Sequence, residues 1–191
     1  MILFFDTETT GLADFNLRAR DPAQPHIVQC AWIMCDNDGK ELESHCDIVA
    51  ATDWEIPAEV VAVHGITTER SREVGLSEKT VAELLLMQIQ KASLIVAHNL
   101  TFDKFIARIA MRRYELIQDA HDAWWKGLNT FCTMKQMTNV CCISNGSSRY
   151  KYPKLEEAYH YCFSKFPDKS HDAAADVRAC KEIYFWMKQN L

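Results

Sequence analysis

Five side chains in this sequence could act together on one substrate. Asp6 and Glu8 follow the apolar run Met1-Ile2-Leu3-Phe4-Phe5, Asp103 comes soon after Leu94-Ile95-Val96-Ala97, and His171 and Asp176 precede a long amphipathic stretch. Side chains alternate faces along a strand, so Asp6 and Glu8 project from one face. Two unscreened carboxylates about 4 Å apart repel by roughly 4 kcal/mol at an effective dielectric of about 20. Gathered with Asp103 and Asp176 they would concentrate four negative charges, which two divalent magnesium or manganese ions would neutralise. Such a two-metal site suits in-line attack on a phosphodiester. Each residue also has a plain structural use. Asp-x-Glu acids at a strand end can point into water, Asp103 can serve a helix dipole, and His171 can cap a helix.

The elements that would position these groups follow from the pattern of apolar residues. The opening run ends on the two acids, with Gly11 available to break the strand, and residues 13–25 read as a surface loop. His26 to Cys35 and Glu41 to Val49 read as two further strands around the turn-like Asp36-Asn37-Asp38-Gly39, giving a sheet of three consecutive strands. Pro57 opens a short helix, Ala58 to Val63, that Gly65 can cap. Ser77 precedes an amphipathic helix to about Lys91, with Val81, Leu84, Leu85 and Ile89 on its apolar face. Leu94 to Ala97 is a brief strand. Phe102, Phe105, Ile106, Ile109 and Ala110 then recur at helical spacing, which puts Asp103 in the first turn of a helix and Lys104, Arg108, Arg112 and Arg113 on a solvated face.

Trp124-Trp125 reads as packing, Phe131 to Met137 as a helix, and Asn145 to Lys154 as a turn-rich loop. That loop mixes basic and aromatic side chains, a composition that suits a single strand's phosphates and bases and equally an ordinary exposed loop. Leu155 to Phe163 is a helix, and Ala173 to Gln189 the last and longest one, with Val177, Cys180, Ile183, Tyr184 and Met187 on one stripe. Ser170 or Asp172 can cap it, placing His171 at its mouth and Asp176 about one turn inside.

With 191 residues, 48% of them hydrophobic, the chain can bury one sizeable core, and length favours a single domain over 1–191. A formal charge of −5 argues against a broad basic surface for nucleic acid, while leaving room for a few phosphate contacts and metal ions. The eight cysteines include no Cys-x-x-Cys pair and no zinc spacing, and most read as small core residues. With no signal peptide and no apolar run long enough to span a bilayer, the expectation is a reduced, cytoplasmic protein with no membrane partner.

Phe5-Asp6-Thr7-Glu8-Thr9-Thr10-Gly11-Leu12, His98-Asn99-Leu100-Thr101-Phe102-Asp103 and His171-Asp172-Ala173-Ala174-Ala175-Asp176 together resemble the three motifs of the DEDDh, or DnaQ-like, 3′-to-5′ exonucleases. Further stretches are similar to the proofreading (epsilon) subunit of bacterial DNA polymerase III: Pro57-Ala58-Glu59, Val63-His64-Gly65-Ile66, Asn129-Thr130-Phe131-Cys132 and Lys154-Leu155-Glu156-Glu157-Ala158. The matches run in the same order over nearly the whole chain. The resemblance implies an α/β, ribonuclease H-like fold, with a mixed central sheet flanked by helices.

Carried onto this sequence, the resemblance makes Asp6, Glu8, Asp103 and Asp176 the metal-binding acids, for two divalent cations, Mg or Mn. His171 becomes the general base for the attacking water, a task suited to a side chain that titrates near neutrality. A sister branch has tyrosine near this position. Thr9, Gly11 and Leu12 would line the terminal nucleotide's path, Phe102 and His64 would flank its base or sugar, and Glu59 would lie near the 3′ end. Phe102 can equally be core, His64 a helix-end residue and Glu59 solvated.

The implied substrate is the 3′ end of DNA, single-stranded, released as nucleoside 5′-monophosphates. Two alternatives stand beside it: an RNA-trimming exoribonuclease of the same family, and a non-catalytic module that binds nucleic acid or a polymerase. The epsilon-like stretches imply a DNA polymerase partner, although the chain ends at Asn190-Leu191, without the extension that would engage one.

Overall fold

In the computed structural model of the chain, residues 1–146, 148–167 and 171–191 are described. The opening apolar run forms β1, Ile2–Thr9, and lies at the centre of a five-stranded sheet. On one side β1 pairs antiparallel with β2, Ile27–Cys35, which pairs antiparallel with β3, Glu41–Ile48. On the other it pairs in parallel with β4, Leu94–Ala97, and β4 in parallel with β5, Thr130–Cys132. The order is β3-β2-β1-β4-β5, the mixed sheet that was expected.

Alternation along β1 divides the core in two. Leu3 and Phe5 pack with Leu85 and Ile89 of α3, Glu78–Lys91, and with Ile106 and Ile109 of α4, Leu100–Arg113. Ile2 and Phe4 pack on the opposite face with Val177, Cys180 and Tyr184 of a long helix, Ala173–Asn190. That helix also meets Met137 of Thr133–Cys141 and Tyr159 of Leu155–Phe163. In chain order these three are α6 (Thr133–Cys141), α7 (Leu155–Phe163) and α8 (Ala173–Asn190), after α1 (Ala58–His64), α2 (Thr68–Val74) and the short α5 (Asp122–Gly127).

The local signals in the sequence act as read at several ends. Gly65 caps α1 in the left-handed conformation (φ 76°), its N–H donating to the Val61 carbonyl, and the Ser77 hydroxyl accepts from the Thr80 N–H at the start of α3. Asp172 caps α8, its carboxylate accepting from the N–H groups of Ala174 and Ala175; the alternative cap, Ser170, lies outside the described residues. Among the described residues, Asn145 to Lys154 lie outside the helices and strands, as expected; Ser147 also falls outside the described residues.

Four expectations need correction. The segment 68–74 is a helix that the sequence reading passed over; Thr67 caps it, accepting from the Arg70 N–H. It ends at Gly75, where a Cβ would come within 2.4 Å of the Ala50 nitrogen, so only glycine admits that approach. Phe131 begins no helix: it pairs with Val96 in β5, and the helix starts at Thr133. Arg112 and Arg113 are not solvated. Arg112 bridges to Asp119 and Asp122, and Arg113 reaches Glu78, whose side chain is 1% exposed. Only Cys30, Cys35 and Cys180 of the eight free cysteines are buried; Cys46 and Cys142 are exposed.

Candidate active site

β1 carries Asp6 and Glu8 on the face that α8 covers, because they share parity with Ile2 and Phe4. α8 begins at that end of the sheet, tied down by the Gln29 side chain of β2, whose Oε1 accepts from the buried Ala173 N–H at 3.1 Å. This brings Glu8, His171 and Asp176 together, with a carboxylate or imidazole atom of each within 4.8 Å of the others. His171 is exposed and left-handed (φ 65°), and its N–H donates to Asp176 Oδ2 at 3.1 Å. A non-glycine residue held there is strain of the kind that clusters at functional sites.

Asp103 arrives from the other layer. Asn99 takes a left-handed turn (φ 66°) between β4 and α4, and Asp103 in the helix's first turn is 3% exposed. Its Oδ1 accepts from both the N–H and the hydroxyl of Thr7. Asp6 links the two halves, since its carboxyl is held well above the usual range by burial and then by the charges of Asp103, Asp176 and Glu8. Burial raises Asp103 as well, against the opposing hydrogen bonds from Thr7. Burial and neighbouring acids push Glu8 to about 7; burial, partly offset by the His171 N–H, takes Asp176 to about 6. No lysine or arginine forms an ion pair with any of these four acids among the described residues. The donor set is therefore short of positive charge and consists of carboxylate oxygens with one imidazole, which fits hard divalent cations.

The other predicted residues are dispersed around this cluster. Thr9 is buried, its hydroxyl donating to the Gly11 carbonyl at 2.7 Å, and the space beside Gly11 is open. Leu12 is 89% exposed, unusual for a leucine. Phe102 is half-buried against the α3–α4 core. His64 accepts from the Ile66 N–H through Nδ1, and its buried Nε2 has no hydrogen-bond partner among the described residues. Burial, and then the charge of His171, lowers its pKa. Glu59 is exposed in the first turn of α1.

Two residues escaped the sequence reading. Thr7 was passed over because alternation turns it away from Asp6 and Glu8, and only the fold shows that Asp103 waits there. His98 is a structural histidine. Its Nε2 donates to the Pro153 carbonyl at 3.0 Å and its Nδ1 meets the Thr133 hydroxyl at 2.9 Å, joining β4 to α6 and to the approach to α7, while burial lowers its pKa to about 4.

Fold and site define a class: α/β proteins of ribonuclease H-like fold that gather acids and a histidine at the end of the central strand. The chain belongs to the exonuclease family, whose model (RNase_T) matches residues 3–184. Solved structures share the fold. Exonuclease I of E. coli in complex with a dT13 oligonucleotide is 21% identical with a TM-score of 0.76, over 99% of this chain and 41% of that one. The zinc-bound E. coli exonuclease I–ssDNA complex is 20% identical (TM-score 0.75; 98% and 40%), and exonuclease I of Methylocaldum szegediense 21% (0.73; 99% and 40%). The chain thus spans about two fifths of these relatives. No curated protein sequence matches it. The resemblance to the proofreading subunit rests on the sequence stretches alone. No helix among the described residues is long and apolar enough to cross a membrane.

Proposed function

We propose that this chain, as one exonuclease domain over 1–191, hydrolyses the last phosphodiester bond at the 3′ end of single-stranded DNA. The observation that carries the reading is the set of four acids around the end of β1, Asp103 buried and the other three half-buried, mutually repelling and without a lysine or arginine partner among the described residues. Asp6, Glu8, Asp103 and Asp176 would hold two divalent cations, Mg or Mn. When bound, these would supply Lewis-acid stabilisation of the charge that develops on the phosphoryl group.

The chain's own residues do the rest. His171, exposed at the mouth of α8 and held through its backbone by Asp176, takes the proton from the attacking water. The water oxygen bonds to phosphorus as the bond to the 3′ oxygen of the penultimate nucleotide breaks. A nucleoside 5′-monophosphate leaves, and the new 3′ oxygen takes a proton from solvent. Exposed Leu12 and half-buried Phe102 hold the terminal nucleotide between apolar surfaces, with the backbone at Thr9 and Gly11 alongside. His64 Nε2 donates to its sugar or phosphate, and Glu59 lies near the 3′ hydroxyl. The named exonuclease I complexes contain single-stranded DNA, which supports the choice of substrate.

A gel time course with matched 5′-labelled single-stranded DNA and RNA, in magnesium and in EDTA, tests this. The expected result is a ladder shortening from the 3′ end of DNA, abolished by EDTA. Faster trimming of RNA would move the assignment to an exoribonuclease, and no cleavage of either by folded protein would overturn the catalytic reading.

A further inference from the structure

The outer face of α4 turns away from the acids and lines a furrow that the proposed reaction does not use. Thr101, Lys104, Phe105 and Arg108 share that face by helical spacing, over about 10 Å of helix axis. With β5 and Lys135 of α6 they enclose a cavity of about 540 Å³, which continues past Phe15 and Phe105 into a second of about 440 Å³ beside Arg18, Arg20 and Arg112. Six cationic side chains line the two cavities against two carboxylates, Asp119 and Asp122, in a chain whose formal charge is −5. Both carboxylates are engaged by Arg112, and Asp122 also by Arg108. Arg18, Arg20, Lys104 and Lys135 form no ion pair among the described residues.

Lys104 lies 5.8 Å from the ring centre of Trp125 and loses some of its affinity for a proton to burial and to Arg108. Lys135 donates to the Thr101 hydroxyl at 3.3 Å. Phe15, 57% exposed, stacks one face on Phe105 (centroids 4.7 Å apart, planes 20°) and leaves the other to solvent. Cations in a row with an exposed aromatic face are what a single strand requires, phosphates for the charges and a base for the ring. The furrow also begins where the acid site ends: Leu100 and Thr101 line it, and Phe102 and Asp103 follow in the same helical turn. Phe15 comes three residues after Leu12 on the loop leaving β1.

We infer that this furrow is the track for the phosphodiester backbone of the same strand, 5′ of the nucleotide at the acid site, with a base stacked on Phe15. The inference rests on the proposed reading for the strand's direction, and its test does not depend on hydrolysis. Binding of 5′-labelled oligothymidylates of about 4 and about 16 nucleotides, lengths that bracket a single-strand site, is followed by fluorescence anisotropy in EDTA. The wild type should bind the longer strand at least tenfold more tightly. In the triple variant Arg18→Ala, Lys104→Ala, Lys135→Ala that gain should vanish, with the log–log salt slope shallower by about 0.7 for each cation removed, and affinity for the shorter strand unchanged. Phe15→Ala should lose part of the gain with no change in salt slope. Equal binding of both lengths by the wild type, or a length-dependent gain that survives in the triple variant, would overturn the track. If folded wild type cleaves neither oligonucleotide in magnesium, the exonuclease reading falls while the binding comparison still decides the furrow.

Discussion

Thr7 donates twice to the same atom: its backbone N–H at 3.1 Å and its hydroxyl at 2.9 Å both end on Asp103 Oδ1. One oxygen of Asp103 is thus committed to β1, and the other is the one available to a cation. Thr7 and Asp103 lie 96 residues apart in sequence, so this pair of hydrogen bonds to one carboxylate fixes α4 against the strand that carries Asp6 and Glu8.

Removing the hydroxyl while keeping the shape should loosen that carboxylate. Thr7→Val is expected to weaken manganese binding and slow hydrolysis by about 10-fold or more, the usual cost of losing a group that orients a ligand, with Thr7→Ser restoring both. Calorimetric titration with manganese alongside the rate checks it; unchanged affinity in Thr7→Val would show that Asp103 needs no orienting.

The acids and the histidine should separate in their effects. Asp6→Ala and Asp176→Ala are expected to abolish hydrolysis and weaken manganese binding with an unchanged circular dichroism spectrum. His171→Ala should lose about 10²–10⁴ in rate, the range for a positioned base, at nearly wild-type affinity. A loss of manganese affinity in His171→Ala as large as in Asp176→Ala would make His171 a ligand.

Stability of the metal-free protein should fall as pH rises through neutrality. Glu8 and Asp103 keep their protons to about 7 when folded, against 4.5 and 3.8 ordinarily, and burial raises Asp6 well above its ordinary value. The folded state therefore binds more protons than the unfolded one up to those values, and stability declines as pH rises through them. His98 and His64 act in the opposite sense, because both are lowered from 6.5, but their contribution is complete once the unfolded histidines have lost their protons. Between about pH 6.5 and 8 the acids outweigh what is left of the histidine contribution, and the melting temperature in EDTA should drop by a few degrees. Magnesium should abolish the drop, and Asp6→Asn should reduce it. A melting temperature that stays flat or rises over this range in EDTA would contradict the raised acids.

Arg113 neutralises Glu78 in the interior. Glu78 is 3% exposed; burial alone would raise its pKa, yet the His26 hydrogen bond, the Arg113 charge and the Ile27 N–H hold it below the ordinary value. Arg113 also donates to the Gln24 and Pro25 carbonyls. Arg113→Ala removes the guanidinium from a buried carboxylate, leaving it the hydrogen bonds of His26, Ile27 and Tyr114, and should cost about 3–5 kcal/mol in urea unfolding. A cost under about 1 kcal/mol, the worth of an exposed pair, would show that solvent reaches Glu78.

The sequence carried the elements whose signals are local. β4 and α7 have the predicted bounds, and Asp6, Glu8, Asp103, His171 and Asp176 all sit at element ends because strand alternation, helical spacing and a cap at Asp172 locate them. What escaped depends on distant partners. β5 has three residues and is a strand only because β4 lies beside it, and Arg112 and Arg113 look solvated until Asp122 and Glu78 are folded against them. The acid cluster itself shows the same limit. Glu8, His171 and Asp176 meet on one face as alternation implies, whereas Asp103 reaches Asp6 from the other layer.

The central position of β1 has a kinetic meaning. Asp6 and Glu8 ride on a strand paired along its length with β2 and as far as Phe4 with β4, and amides held in such a central strand are expected to exchange slowly with solvent. His171 is exposed, with its backbone N–H held by a single carboxylate, and opening there ends two residues on, where Gln29 grips Ala173. The two acids of β1, proposed as cation ligands, are therefore expected in a slower-opening unit than His171, the proposed base. Local excursions at the head of α8 would then disturb His171 while the acids of β1 stay in place, so the proposed base could leave and return without the site being taken apart.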